Sequence, residues 1–136
     1  MKMLAAPLNE ALEDAQLDWV RELLFVRESG APIREAIAFG FSERTLIIKA
    51  LSDTSELDVR FGELEADGPD YLIRDASQDE PFQFFIGKRL RDSWIARNDR
   101  GYFDAFLIAF EESRGLCFVA MNDAVSILSV AGEQWS

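Results

Sequence analysis

The feature that most constrains this chain is a period-two alternation of apolar side chains, which recurs along most of the sequence beyond residue 20. Residues 33–41 put Ile33, Ile37, Phe39 and Phe41 on one side of an extended backbone, and Arg34, Ala36, Ala38 and Gly40 on the other. Successive side chains of a strand point to opposite faces, so this pattern predicts β-structure. With strand candidates at 21–28, 45–51 and 56–61 and turn residues between them, residues 20–61 are predicted to form a four-stranded antiparallel meander.

Residues 82–136 predict a second meander of the same kind, in which DSWIAR, YFDAFLIAFEE, LCFVAM and VSILSV are the strands. The two halves align at a spacing of 69, which puts Phe25 on Trp94, Ile33 on Tyr102, Glu35 on Asp104, Phe39 on Ile108 and Phe41 on Phe110. Beyond two inserted residues the spacing becomes 71, which puts Ile47 on Phe118, Leu57 on Leu128 and Val59 on Val130. This predicts a duplicated unit. The alternative left open is that any two hairpin-rich segments align this well.

Two regions lie outside the meanders. Apolar residues at helical spacing after Pro7 predict a helix over residues 7–18. Residues 62–81 form an acidic connector, with a short strand near YLIR. The predicted fold is therefore mainly β, or α+β if the helix is counted, with both meanders forming a sandwich or half-open barrel in a single domain over 1–136.

The residue types exclude several chemistries. The chain has no histidine and one cysteine, so imidazole-assisted nucleophiles, HExxH metal sites and cysteine zinc sites are excluded within it. No phosphate-cradling glycine motif occurs. We expect no cofactor and no metal, and the composition argues against an enzyme. The cluster Asp53, Glu56 and Asp58 lacks the spacing of a calcium loop, and alternation predicts a solvated face for Glu56 and Asp58.

Compartment is predicted from what the sequence lacks. No apolar run reaches eighteen residues and no stretch near the N-terminus has signal-peptide character, so we expect a cytoplasmic protein and no membrane partner. A lone Cys117 agrees with a reducing compartment. Because Cys117 alternates with Val119 and Met121, we expect it to be a buried hydrophobe and not a nucleophile.

An aspartate stands within the apolar alternation at 102–110. In strand register Asp104 shares a face with Tyr102 and Phe106, so its carboxylate needs hydrogen-bond donors. In the structural interpretation, which the residues favour, it accepts bonds from the NDRG turn and pins a hairpin. In the functional interpretation, Asp104 and Glu35 are paired acids in a cleft, with Tyr102 beside them as the third catalytic candidate.

Charge is unevenly distributed along the chain. Residues 87–100 carry five basic and two acidic side chains, +3, whereas the chain as a whole is −11, so the remainder is −14. The candidate binding residues in and after this strip are Trp94, Arg97, Asn98, Arg100 and Tyr102. Trp94 could stack on a phosphate-bearing ligand held by the arginines. The alternative, which we favour, is a solvated strand, and the acidic remainder argues against nucleic acid as a partner.

The stretch W-x-x-x-N-x-x-G-Y-x-D, formed by Trp94, Asn98, Gly101, Tyr102 and Asp104, resembles a family of small uncharacterised bacterial proteins. The segment Phe41–Leu57, F-x-x-x-x-L-x-I-x-A-x-x-D-T-x-E-L, extends the resemblance. The resemblance implies a shared β-rich fold and leaves function open.

Two functions from different classes remain. The first, which we favour, is a small acidic non-catalytic interaction protein, for example an immunity-type inhibitor that docks a cationic protein partner. The second is a small ligand-binding domain or carboxylate-based hydrolase with a cleft between the two halves. Open sheet edges also predict a homodimer formed through an edge strand.

Overall fold

The structure, a computed structural model, describes residues 12, 14–28, 30–42, 44–51, 53–97, 101, 103–111, 114–121 and 124–130, with Ser129 and Val130 described by their backbone alone. Nine strands lie within these residues: β1 (Leu17–Phe25), β2 (Ile33–Phe41), β3 (Arg44–Leu51), β4 (Glu56–Phe61), β5 (Tyr71–Asp75), β6 (Leu90–Arg97), β7 (Phe103–Phe110), β8 (Arg114–Met121) and β9 (Ala124–Val130).

The strands form two antiparallel sheets. The first has the order β4-β3-β2-β1-β5 and the second has the order β6-β7-β8-β9. The predicted mainly-β fold of two four-stranded meanders is therefore confirmed, and open strand orders make it a sandwich and not a closed barrel. The short strand predicted near YLIR is confirmed as β5, which pairs with β1 and widens the first sheet.

The predicted helix over 7–18 is wrong at its C-terminal end. Leu12 is helical, residues 7–11 and 13 lie outside the described residues, and Leu17 and Asp18 already belong to β1. The backbone is extended here because it pairs with the segment that leads into β6: the Leu17 N–H donates to the carbonyl of Lys88 at 2.9 Å. A 3-10 turn, Phe82–Phe84, precedes that segment. Residues 131–136 of the second meander lie outside the described residues. No helix in the described part of the chain is long and apolar enough to cross a membrane.

Phenylalanines from both sheets build the core between them. The Phe39 and Phe118 ring centroids lie 5.5 Å apart across the sheets, and Phe106 stacks beside Phe118 at 6.4 Å. Each of these side chains is at most 1% exposed. The alternation therefore predicted the core-facing residues of β2 and β7 correctly, as Phe39, Phe41 and Phe106 show, but it put the wrong side of β8 in the core.

Two β-bulges recur at equivalent places in the two sheets. On β2, Leu23 pairs with Ala36 and Leu24 with Arg34, so Glu35 is an extra residue. On β7, Ala96 pairs with Ala105 and Arg97 with Phe103, so Asp104 is the extra residue. Asp18 in β1 and Arg91 in β6 are extra in the same way near the other end of each strand pair. The spacing of 69 between Glu35 and Asp104 thus relates β2 to β7 residue by residue.

The other spacings of the predicted duplication are wrong. Leu17 pairs with Phe41 and Leu90 with Phe110, which makes the spacing between β1 and β6 73 and takes Trp94 away from Phe25. Ile47 packs on the outside of the first sheet whereas Phe118 lies in the core. Likewise Leu57 is fully buried and Leu128 is 59% exposed. The alignment misplaced β1 on β6 by four residues (73 − 69), and it misplaced β3 on β8 by one, since Arg44 and Arg114 are the equivalent first residues of those strands. A one-residue error exchanges the two faces of a strand, which is why Ile47 and Phe118 lie on opposite sides of their sheets.

Candidate functional site

The side of the five-stranded sheet that faces away from the core has a floor of small side chains. Ala36 and Ala38 lie there beside Ile47 and Leu23, and together they form a second apolar cluster separate from the core. Leu64, from the connector, packs on this cluster and lines two cavities, of about 330 and 180 Å³. We call this surface the connector face. It is the candidate functional site.

Trp19 forms one wall of the larger cavity and depends on Gly40 opposite it. The two residues are cross-strand partners in β1 and β2. A Cβ atom placed on Gly40 would lie 2.0 Å from Trp19 Cε2, which no packing arrangement tolerates. The indole ring therefore lies flat against bare backbone, and glycine is required at this position by the close approach.

The basic side chains of the connector face each lie beside an aromatic or acidic residue of the same face. The Arg21 guanidinium lies over the Trp19 ring at 4.2 Å from the centroid. Arg60 Nε approaches Asp58 Oδ2 at 3.7 Å, and Lys49 is the cross-strand partner of Asp58 in the β3–β4 pairing. The described basic groups around both cavities, Arg21, Lys49 and Arg60, thus each have an aromatic or acidic neighbour.

The solvated face predicted for Glu56 and Asp58 is wrong, because both residues are 6% exposed. Glu56 Oε2 accepts the backbone N–H of Phe103 at 3.0 Å, which joins β4 of one sheet to the first residue of β7 in the other. Strand alternation put Leu57 and Val59 in the core correctly but did not show that Glu56 and Asp58 are covered as well.

Acidic side chains of the connector edge the cavities. Glu63 lines both cavities, and Glu65 and Asp67 line the smaller one. All three are exposed, and no described residue forms an ion pair with them. Residues 62–81 hold seven carboxylates and one arginine, which is −6 of the chain's −11. The connector face is thus an apolar, aromatic-walled groove with an acidic edge.

Asp75, the last residue of β5, takes part in the hydrogen bonds that hold the C-terminal part of the connector on the first sheet. Ser77 donates to Asp75 Oδ1 through its hydroxyl at 2.6 Å and through its backbone N–H at 3.0 Å. These bonds lower the pKa of Asp75, and the nearby Arg21 lowers it further. The Ser77 hydroxyl oxygen also accepts the Val20 N–H at 2.9 Å, which continues the β5 side of the sheet beyond the last strand residue.

A buried ion-pair network was missed from the sequence. Glu22 is 5% exposed and binds Arg34 Nε through Oε2 and Arg74 Nη1, at 2.8 Å, through Oε1. Arg34 also donates to the carbonyl of Val125 in the other sheet at 3.2 Å. Alternation put Arg34 on the face away from the core, but the bulge at Glu35 reverses that. The only sequence signal was Glu22 itself, an acid within RELLFV.

The structure places Glu35 and Asp104, the two described catalytic candidates, in different sheets. Glu35 lies on the connector-face side with Tyr71, whose hydroxyl is 3.5 Å from Glu35 Oε2. Asp104 is in β7 of the other sheet and is half-buried, whereas Phe103 beside it is in the core. Because Asp104 is the extra residue of the bulge, the regular alternation that assigned it to the face of Phe106 does not hold at this position. Tyr102 lies outside the described residues. A catalytic role for these residues stays a prediction.

The predicted binding strip is described only in part. Trp94 is 41% exposed on the outside of the four-stranded sheet. Arg97, also exposed, donates to the Gly101 carbonyl at 3.5 Å. Asn98 and Arg100 lie outside the described residues. Cys117 is only partly buried and lies on the outer side of β8, so the expected buried position is wrong; burial raises the pKa of its thiol, and its lack of nucleophile character stays a prediction.

Comparison with known proteins gives one match. A family model described as a family of unknown function (DUF6334) matches residues 4–133, nearly the whole chain. No curated protein and no solved structure matches it. The resemblance to an uncharacterised family is thereby confirmed.

Proposed function

Since the chain belongs to a family of unknown function, DUF6334, we propose from the connector face that it is a non-catalytic interaction protein whose groove and acidic edge dock a cationic segment of a protein partner. An immunity-type inhibitor of a basic enzyme in a bacterial cytoplasm is the specific form of this proposal. The observation that carries it is the contrast in charge at the groove: the basic groups already have neighbours, and the carboxylates at the edge point to solvent.

The chemistry of the groove supports a guest of this kind. A lysine or arginine side chain has an apolar stem, which suits the alanine floor and the Trp19 wall, and a charged head, which suits the Glu63 edge. Docking of this kind also uses the long-range field of the whole chain, because a net charge of −11 speeds encounter with a positive partner. The alternative cleft between the halves has no comparable support, since core phenylalanines fill the space between the sheets.

The test is a titration of isotope-labelled protein with an oligolysine peptide, followed by NMR at low and high salt. We expect amide shifts at residues 63–67 and around Trp19, with affinity that falls steeply as salt is added. The triple variant Glu63→Gln, Glu65→Gln, Asp67→Asn should weaken binding by at least about tenfold, on the order of 0.5 kcal/mol for each charge removed.

The matched control removes the same amount of charge elsewhere. Glu28, Asp53 and Glu80 are exposed and line neither cavity. The triple variant Glu28→Gln, Asp53→Asn, Glu80→Gln should retain most of the affinity. Equal losses in both triple variants would mean that only net charge matters, and the proposed docking site would then be wrong.

A further inference from the structure

The outer side of the four-stranded sheet is an open apolar surface, which we call the Trp94 face. A cross-strand row runs over all four strands, in which Trp94 pairs with Leu107, Leu107 with Cys117 and Cys117 with Leu128. Trp94 is 41% exposed and Leu128 is 59% exposed, as is Met121 at one end of the face. Monomeric proteins seldom leave such a contiguous row in water.

Charge is nearly absent from the described part of this surface. Among its described residues between the bulges at Arg91 and Asp104, the one charged side chain is Asp92, which is half-buried and accepts the Ser93 N–H at 2.8 Å. The other described residues outside the row are small, apolar or hydroxyl-bearing: alanines, a glycine, Val119, Met121 and Ser126. Between these bulges the described residues offer a cationic partner one half-buried carboxylate and no acidic edge, so the surface suits an apolar occupant.

We propose that the Trp94 face is the interface of a homodimer, with a second copy of this chain as its occupant. A two-fold axis between β7 and β8 and parallel to them would place Trp94 over the partner's Leu128 and Leu107 over the partner's Cys117. The large side chain at one edge of the face thus meets a smaller one at the other edge, which is the self-complementarity that an isologous interface needs.

The size of the face suits such an interface. Four strands about 4.8 Å apart, with about seven residues each at about 3.4 Å, span roughly 19 by 24 Å. Side-chain relief and the rim raise the accessible area buried per copy to on the order of 600 Å², the lower end of the range for specific interfaces. The expected dimer is therefore of moderate affinity and depends on concentration.

The arrangement also separates the negative charges of two −11 chains. Packed sheets lie about 10 Å apart, so four stacked sheets place the two connector faces at least about 30 Å from each other. That distance exceeds the Debye length of about 8 Å at physiological salt, and repulsion between the acidic connectors is largely screened. The dimer leaves both connector faces accessible and does not rest on the function proposed for them.

Sedimentation velocity of the chain over a range of concentrations tests this inference. We expect a monomer–dimer equilibrium that Leu128→Lys and Trp94→Lys each shift toward monomer by at least about tenfold, because an unpaired ammonium would be buried. Leu72→Lys, at a position 51% exposed on edge strand β5, is the matched control and should leave the equilibrium unchanged. Circular dichroism checks that each variant is folded.

The wild-type chain alone can overturn the inference, by remaining a monomer at concentrations of hundreds of micromolar. A dimer that Leu72→Lys disrupts and Leu128→Lys does not would also overturn it, and would assign the contact to a sheet edge. A second readout needs no substitution: reaction of the Cys117 thiol with a chromogenic disulfide should slow as protein concentration rises, because the interface covers it. A rate independent of concentration in a sample that dimerises would exclude this face.

Discussion

The connector face and the Trp94 face lie on equivalent strands of the two sheets, yet they differ in their residues and in their charge. At the position where the first sheet pairs Trp19 with Gly40, the second pairs Asp92 with Ala109. The connector crosses the first face and brings carboxylates to it, whereas the second is apolar and its row from Trp94 to Leu128 stays exposed. A repeated scaffold therefore carries two surfaces suited to different partners: one is an apolar groove with an acidic edge, and the other is nearly uncharged over its described residues.

The same contrast extends into the interior. Glu22 pairs with Ile37 across β1 and β2, and Ile95 pairs with Phe106 across β6 and β7. Since Arg34 and Phe103 directly precede the equivalent bulge residues Glu35 and Asp104, the ion pair of Glu22 and Arg34 in the first half corresponds to Ile95 and Phe103 in the second. Next to the bulge, the first sheet therefore has a buried ion pair where the second sheet has apolar side chains packed on the core.

Replacing the Glu22–Arg34 ion pair by the apolar residues of the second half is expected to give the largest change in the free energy of unfolding. Arg34→Phe alone should lower the free energy of unfolding by about 3 kcal/mol, because it leaves Glu22 buried with Arg74 as its remaining cation. This is the lower end for a broken buried pair, since the Arg34 side chain is 31% exposed. The double variant Glu22→Ile, Arg34→Phe copies the second half and should recover most of that loss. Urea unfolding measures each variant of the cycle.

Arg27→Phe is the control for this cycle. Arg27 is exposed and its guanidinium donates only to the nearby Ala31 carbonyl among described residues, at 3.3 Å. Its replacement should change stability by less than about 0.5 kcal/mol. If the losses of the two single variants simply add in the double variant, Glu22 and Arg34 are not coupled and the correspondence with Ile95 and Phe103 has no energetic meaning.

The wall of the connector face gives the next largest effect. Gly40→Ala should destabilise the protein by about 1–3 kcal/mol and displace Trp19, because the added methyl group overlaps the indole ring. Gly62→Ala is the matched control, since a Cβ atom there meets Ile47 Cδ1 at an ordinary 3.5 Å. Urea unfolding with tryptophan fluorescence reports both stability and the position of Trp19. Equal effects from both variants would mean that backbone freedom, and not the indole contact, decides the cost.

Alternation predicted most of the strands because each core strand needs apolar residues at every second position, as Phe39 and Phe41 show. A bulge adds one residue without changing composition, so Glu35 and Asp104 looked like ordinary strand residues. Because the bulge at Glu35 was not recognised, neither the side of the sheet on which Arg34 lies nor the burial of Glu22 was predicted. Register is an outcome of long-range pairing, and the sequence alone did not place the bulges.

The candidate site was predictable only in its floor. Ala36, Ala38 and Gly40 were recognisable as small residues on one side of β2, and the acidic connector was recognisable from its composition. That Leu64 folds back over this floor depends on contacts between segments distant in sequence, which local patterns do not carry. The burial of Glu56 was hidden for the same reason, since its hydrogen-bond partner, the Phe103 N–H, lies 47 residues away.

The smallest expected effect is a change in the pKa of Tyr71, which distinguishes the two bulge carboxylates, Glu35 and Asp104. The Glu35 carboxylate raises the pKa of Tyr71, chiefly through its charge and further through its hydrogen bond. A tyrosine whose pKa is higher in the folded state contributes stability that is present below its unfolded pKa and is lost as pH rises through the folded pKa. Glu35→Gln should therefore lower the pKa of Tyr71 and weaken the alkaline loss of stability, as followed by tyrosinate absorbance and by urea unfolding at high pH. Asp104→Asn, the equivalent substitution in the other sheet, should leave Tyr71 unchanged, and an equal shift from both would mean that the two carboxylates approach each other after all.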